Sequence, residues 1–179
     1  MLQLLESLLA YSRVTLSTDD VYSSVDLSKI IQDVLADLEE RIKQTDARLE
    51  IGELPVLRAD PIQMHQLLLN LIGNALKFSQ EGDPPQVKIL CRTPQTMKSK
   101  EFFCEMTIED KGIGFHEENG DKIFLLGKRL HDKNHYEGSG IGLSICKRII
   151  GRHKGTIAVK LRRPWPYSIP TCRYAAIPQ

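Results

Sequence analysis

No apolar run in this sequence approaches the roughly 20 residues needed to cross a bilayer, and no signal-peptide pattern opens it. Neither sign of charge is in surplus. Lys and Arg total 24 against 23 Asp and Glu, a formal net charge of +1, so net charge shows no strong footprint for nucleic acid. The four cysteines, Cys91, Cys104, Cys146 and Cys172, form no C-x-x-C pair and have no zinc-type spacing to a histidine. Buried free thiols in a reducing compartment are therefore expected. Internal repeats and low-complexity tracts are absent too. What remains is ordinary globular composition, 41% hydrophobic and 26% charged, over 179 residues. That length suits one domain with a real core and a short attached element.

The opening "MLQLLESLLAYSRV" reads as an amphipathic helix with Leu2, Leu5, Leu9 and Val14 near one face. It carries no cap, as if it continued a longer helix, and it is too short to be stable without a partner. A polar linker follows. "VDLSKIIQDVLADLEERIKQTDAR" predicts one helix capped by Asp26. "LEI" and "VLRA" predict short strands. Asp60-Pro61 supplies a cap and a first-turn proline for a helix to about Ser79. "QVKILCR" and "EFFCEMTIED" alternate as strands. A glycine-rich polar region, Lys111 to Gly140, holds one apolar knot at "IFLL". Another helix then runs to about His153 with Gly155 placed to cap it, and "TIAVKL" is a further strand. Helices mixed with antiparallel hairpins predict an α+β fold: a two-layer sandwich with a mixed sheet covered on one face by helices.

Three stretches carry candidate chemistry. On the helix after Asp60, Gln66, Asn70, Gly73, Asn74 and Lys77 fall on one narrow stripe. Apolar residues hem it in on both sides. Two asparagines one turn apart, followed by a lysine, suit a hard cation and a phosphate, since magnesium takes oxygen ligands and keeps waters. An ordinary solvated stripe accounts for the same pattern equally well. In "FFCEMTIEDKGIGF", Asp110 continues the parity of Phe102, Cys104, Met106 and Ile108, so a carboxylate ends an apolar row. Buried, it needs a donor, and the amino group of a base is a good one. Gly112 and Gly114 allow close approach just after it. The plain alternative is a strand-terminal turn. In "EGSGIGLSICKRII", Gly138, Gly140 and Gly142 precede a helix whose free amides favour phosphate. The stretch is neither a Walker loop nor a dinucleotide fingerprint. By itself it is better explained by close helix packing.

Taken in order, these stretches resemble the nucleotide-binding domain of sensor histidine kinases, in the superfamily shared with gyrase, the Hsp90 chaperones and MutL. "NLIGNALKFS" resembles the N box, "DKGIGF" the first glycine box, "KIFLLGKRL" the phenylalanine box and "GSGIGLSICKRII" the second glycine box. The resemblance runs from about Leu2 to Leu161. It implies ATP and Mg2+ as cofactors. Asn74 would ligate magnesium, Asn70 would support it, and Lys77 would reach the phosphates. Asp110 would accept from the adenine amino group in a pocket shaped by Gly112 and Gly114. Phe124 would anchor a mobile lid, in which Lys128 and Arg129 are candidate cations for the outer phosphate. Gly138, Ser139, Gly140, Ile141, Gly142 and Leu143 would form the phosphate cradle. The ATP-hydrolysing relatives carry a glutamate where this chain has Asn70. An amide takes no proton at neutral pH, so the site suits transfer of the γ-phosphate rather than hydrolysis. The resemblance implies a histidine acceptor on a dimerisation hairpin of a homodimeric parent and, beyond it, the receiver domain of a response regulator. It implies no nucleic acid and no direct membrane contact by this segment. The expected compartment is the cytoplasm, whether or not the parent is membrane-anchored. A non-catalytic nucleotide-binding signalling module, working by lid ordering and partner docking, is the alternative.

Two departures from the family pattern stand out. None of His65, His116, His131, His135 and His153 has the acceptor context, His-Glu/Asp-x-x-x-Pro, so the chain is expected to bind Mg-ATP without phosphorylating itself. After "GTIAVK" the expected glycine-turn strand is replaced by "LRRPWPYSIPTCRYAAIPQ", whose Pro164, Pro166 and Pro170 are hostile to an interior strand. A truncated or frame-altered end is one explanation, with "CRYAAI" left to pair as a makeshift edge strand. The expected organisation is a hairpin-helix stub at 1–15, a linker at 16–25, the catalytic domain at 26–161 and an atypical tail at 162–179.

Overall fold

A computed structural model describes residues 21–92, 102–115, 119–120, 122–128, 139–162 and 167–176. Strand β1 (Ser23–Asp26) pairs antiparallel with β3 (Val56–Ala59) in a small separate sheet. The main sheet has five strands in the order β2-β4-β5-β7-β6. Its members are β2 (Arg48–Ile51), β4 (Gln86–Arg92), β5 (Phe102–Asp110), β6 (Thr156–Arg162) and β7 (Tyr167–Ala176). β2 and β4 run parallel and the other neighbours antiparallel, so the sheet is mixed as expected.

Helix α1 (Leu27–Asp37) starts where Asp26 accepts the Ser28 N–H at 2.9 Å. It buries Leu27, Ile31 and Val34. The long helix expected here is broken. The backbone turns at Leu38 (φ −98°, ψ 4°), a second helix α2 (Glu39–Thr45) begins, and Asp46 ends it in the left-handed region at φ 50°. No glycine or proline marks the break. Helix α3 (Pro61–Lys77) packs between α1 and α4 (Gly142–Arg152) and lies across β4 and β5, while α4 also packs on β6. Between helices and sheet sit Met64, Leu67, Leu68, Leu71 and Ile72 of α3. Facing them are Val87 and Ile89 of β4, Met106 and Ile108 of β5, and Ile145 and Ile149 of α4. Burying each such side chain stabilises the fold by about 1.5–3 kcal/mol.

Two expectations are corrected. The proline-containing tail does form an interior strand: β7 lies between β5 and β6. Its pairing with β6 is continuous through Val159↔Pro170, but its pairing with β5 jumps from Thr107↔Thr171 to Asp110↔Ser168. The interruption falls at Pro170, the residue without an N–H to give a ladder. The cysteines are not all free thiols either. Cys91 and Cys104 form a disulfide between the neighbouring strands β4 and β5, with Cα atoms 6.6 Å apart. Cys146 is in no disulfide and is buried, as expected.

Candidate nucleotide site

The polar stripe is built by the cap at its start. Asp60 accepts from the Ile62 N–H at 2.9 Å and the Gln63 N–H at 3.1 Å, and the Gln63 side chain donates back to Asp60 at 2.8 Å. This reciprocal cap holds α3 in the phase that buries Leu67, Leu71 and Ala75 beside the stripe and Ile72 and Leu76 on its other flank. Gln66, Asn70, Gly73, Asn74 and Lys77 are each half-buried. The stripe is thus neither fully solvated nor closed off. The Nδ2 of Asn70 is buried and has no hydrogen-bond partner among the described residues. A buried amide donor left this way costs about 1–3 kcal/mol.

Helix α4 begins against that amide. A Cβ on Gly142 would stand 3.4 Å from Asn70 Oδ1. Its N-cap residue, Ile141, gives the first turn no side-chain hydrogen bond. The turn is closed instead by Ser144 Oγ donating to the Ile141 carbonyl at 2.7 Å. Gly140 takes φ 71°, which favours glycine there. Ser139 and Leu143 are half-buried, and Ile141 is buried in the core, so Ile141 and Leu143 offer backbone rather than side chain to this corner. An uncapped helix start beside an unsatisfied amide donor is chemistry that suits a phosphate.

At the other end of α3, Asp110 is 7% exposed, on the same face of β5 as the buried Met106 and Ile108. The Gly112 N–H donates to Asp110 Oδ1 at 2.9 Å, and the Ile113 N–H to the Phe78 carbonyl at 2.8 Å. Ser79 and Gly112 form an isolated antiparallel bridge. Any Cβ at Gly112 would come within 2.5 Å of Asp110 Oδ1 and 2.6 Å of the Phe78 carbonyl. Gly112 thus exists for close backbone contact, stitching the end of β5 to the end of α3. Gly114 takes φ 61°. The Lys77 ammonium lies 4.6 Å from the centroid of the Phe78 ring.

Phe124, in a single 3-10 turn (Lys122–Phe124), is buried and packs toward α4, where the Lys147 ammonium stands 5.7 Å from its ring. Leu125, Leu126 and Lys128 after it are exposed. Arg129 and Gly138 lie outside the described residues. The structure therefore gathers Asn70, Asn74, Lys77, Asp110, Gly112, Gly140 and Gly142 around α3. Among the described residues no group of three or more His, Cys, Asp or Glu stands together as a metal site. A divalent cation held here would draw on amide oxygen and on the oxygens of its ligand, a donor set that fits magnesium on a triphosphate.

The sequence reading missed one partner of this framework. His153, which the sequence shows only to lack the acceptor context, is buried, and its Nε2 accepts the Asp60 N–H at 3.2 Å. Its only signal was its place at the end of a predicted helix. The left-handed residue closing α4 is Lys154 (φ 55°) rather than Gly155, though the Gly155 N–H does bond the Ile150 carbonyl at 2.9 Å.

A two-layer sandwich with an Asp-ended strand and a buried amide helix beside an uncapped helix start defines a nucleotide-binding domain. The chain belongs to the histidine kinase-, DNA gyrase B-, and HSP90-like ATPase family, which matches residues 59–171. It is 40% identical over 131 residues to the adaptive-response sensory kinase SasA of Prochlorococcus marinus, covering 71% of this chain and 31% of that one. Among solved structures it is similar to full-length ShkA in complex with AMPPNP, at a TM-score of 0.78 and 20% identity, covering 99% of this chain and 36% of that one. It is also similar to the histidine kinase ThkA in complex with the response regulator protein TrrA, at a TM-score of 0.73 and 22% identity, covering 97% and 46%. The chain spans between a fifth and about a third of the curated relatives it matches. Among the described residues no helix is long and apolar enough to cross a membrane.

Proposed function

We propose that this chain is the phosphate-donating domain of a two-component sensor histidine kinase. It binds Mg-ATP and presents the γ-phosphate to a histidine on a dimerisation hairpin of its homodimeric parent, from which a response-regulator receiver domain takes it. The observation that carries the reading is the buried Nδ2 of Asn70, without a hydrogen-bond partner among the described residues, beside the start of α4. Asn70 can donate to a phosphate oxygen or orient a water but cannot remove a proton, so it is a positioning group. Asn74 Oδ1 is the protein's magnesium ligand, and Lys77 meets phosphate charge. The α4 amides from Gly142 onward, with the loop from Gly138 through Gly140, cradle the phosphates. Asp110 accepts from the adenine amino group while Gly112 holds its other side by hydrogen bond. Phe124 anchors the lid, with Lys128 and Arg129 as its cations. Bound magnesium supplies charge neutralisation at the phosphates, and catalysis is then mostly positioning.

The catalytic unit is assigned to 26–161, together with the strand that β7 adds. The 1–15 segment is assigned to the end of the hairpin helix, 16–25 to a linker, and the cytoplasm is the compartment. The similar sensory kinase SasA, and the solved complexes of ShkA with AMPPNP and of ThkA with the response regulator protein TrrA, support this reading. Mixing the chain with separately supplied histidine hairpins and labelled ATP tests it. Acid-labile, base-stable phosphate on a hairpin supports the kinase. Steady release of inorganic phosphate with no labelled hairpin contradicts it.

A further inference from the structure

Cys91 and Cys104 do not face each other squarely across β4 and β5. Cys91 stands opposite Met106, so Cys104, two residues earlier on β5, is its diagonal neighbour. Both lie on the core side of the sheet. Cys91 continues the row of Val87 and Ile89, and Cys104 the row of Met106 and Ile108. Their Cα separation of 6.6 Å is within the span of a disulfide, and the bond closes a loop of sequence separation 13. The two residues differ in access. Cys104 is 1% exposed, whereas Cys91 is half-buried, next to the exposed Arg92 at the end of β4. The bond sits at the end of the β4–β5 ladder away from Asp110, which pairs with Val87. From Cys104 to Asp110 is roughly 20 Å along the strand.

We propose that Cys91 and Cys104 are a reversible dithiol–disulfide site, closed and opened by exchange with small disulfides and thiols. Cys91 is the sulfur that meets solution, and Cys104 is the one that resolves. To close the site, the Cys91 thiolate attacks a small disulfide and releases one small thiol. The Cys104 thiolate then attacks the Cys91 sulfur of that mixed disulfide and releases the second. The protein dithiol gives up two protons and two electrons, and the small disulfide takes them as it becomes two thiols. Opening is the reverse: a small thiolate attacks the Cys91 sulfur and frees Cys104, and a second one takes the first away as the small disulfide. A sulfur sealed in the core is inert, so exchange runs through the residue with access. The closed bond restricts the unfolded chain and pins the β4–β5 end, so the closed form is the more stable one. The site therefore couples the strength of the sheet to the thiol–disulfide balance around it. This inference rests on strand register and burial, and holds whatever ligand the nucleotide site takes.

The test uses the wild-type chain, Cys91→Ser, Cys104→Ser and Cys172→Ser, each equilibrated with oxidised or reduced glutathione. Mass spectrometry maps the bonds and adducts, and thermal melts follow. Oxidised wild type should carry a Cys91–Cys104 bond and no retained glutathione, and Cys172→Ser should form the same bond. Cys104→Ser, which has no resolving thiol, should hold glutathione on Cys91. Cys91→Ser should take none on Cys104. The oxidised wild-type chain should melt several degrees above the reduced one. If Cys104→Ser does not fold, the bond map and the two wild-type melts still decide. No internal bond, a bond that recruits Cys172 instead of Cys91, glutathione on Cys104 of folded Cys91→Ser, or equal melting of the two wild-type forms would each overturn the proposal.

Discussion

Asn70 and Gly142 meet across the α3–α4 contact, with the asparagine Oδ1 at 3.4 Å from where a Cβ on Gly142 would stand. That is ordinary contact distance. At Gly112 the corresponding distances are 2.5 and 2.6 Å, one of them to backbone. Two glycines of similar motifs thus do different work. Gly142→Ala should fold with a melting temperature close to wild type. Gly112→Ala should lose about 1–3 kcal/mol, a fall of several degrees for a domain of this size. Thermal melts of the two variants check this. Equal melting temperatures would mean that the β5 end is not packed as described.

Asn70→Leu should separate stability from binding. Removing a buried donor that lacks a partner among the described residues should raise the melting temperature without nucleotide, because about 1–3 kcal/mol of desolvation cost disappears. The stabilisation gained on adding Mg-ATP should shrink at the same time. Melts with and without nucleotide read both effects. A variant that melts lower and keeps its full ATP-induced shift would show that the amide is satisfied within the protein.

Asp110→Asn keeps an oxygen able to accept the Gly112 N–H, so the turn after β5 should survive. It offers an amide donor where adenine needs an acceptor. ATP affinity should fall by about tenfold or more, the scale of one charge-assisted hydrogen bond, with little change in melting temperature. Calorimetric titration with ATP checks the affinity. Unchanged affinity would remove Asp110 from the adenine site.

Pro170→Val should strengthen the sheet. The proline leaves the β5–β7 ladder interrupted between Thr107↔Thr171 and Asp110↔Ser168. A residue with an N–H and high β-propensity should restore pairing there and stabilise by about 1 kcal/mol. Faster hydrogen exchange in β5 of the variant would contradict the interior placement of β7.

Most of the helices and strands were legible because their signals are local. Asp26 and Asp60 cap, Pro61 starts a helix, and β5 alternates down to a buried Asp110. The stripe on α3 showed in the spacing of Asn70, Asn74 and Lys77. How far it is exposed is set by the packing of α1 and α4 on either side, which spacing along one helix does not show. The break at Leu38 has no breaker residue, and so left no trace in the pattern. Pro170 misled because proline reports on its own missing donor. Here one neighbouring strand pairs continuously and the other skips, which is a property of register. Cys91 and Cys104 carry no motif, since their meeting depends on the antiparallel pairing of β4 with β5. His153 was invisible for the same reason: its partners, Asp60 and Tyr22, are distant in sequence, Asp60 by 93 residues.

The most direct measurement is calorimetric titration of the wild-type chain and Asn74→Ala with ATP, each with magnesium and with a chelator. The account predicts one saturable site on the wild-type chain that binds tighter with magnesium, and an Asn74→Ala variant that binds ATP with that magnesium dependence lost. No ATP binding by the folded wild-type chain, or the same magnesium dependence in both proteins, would contradict it.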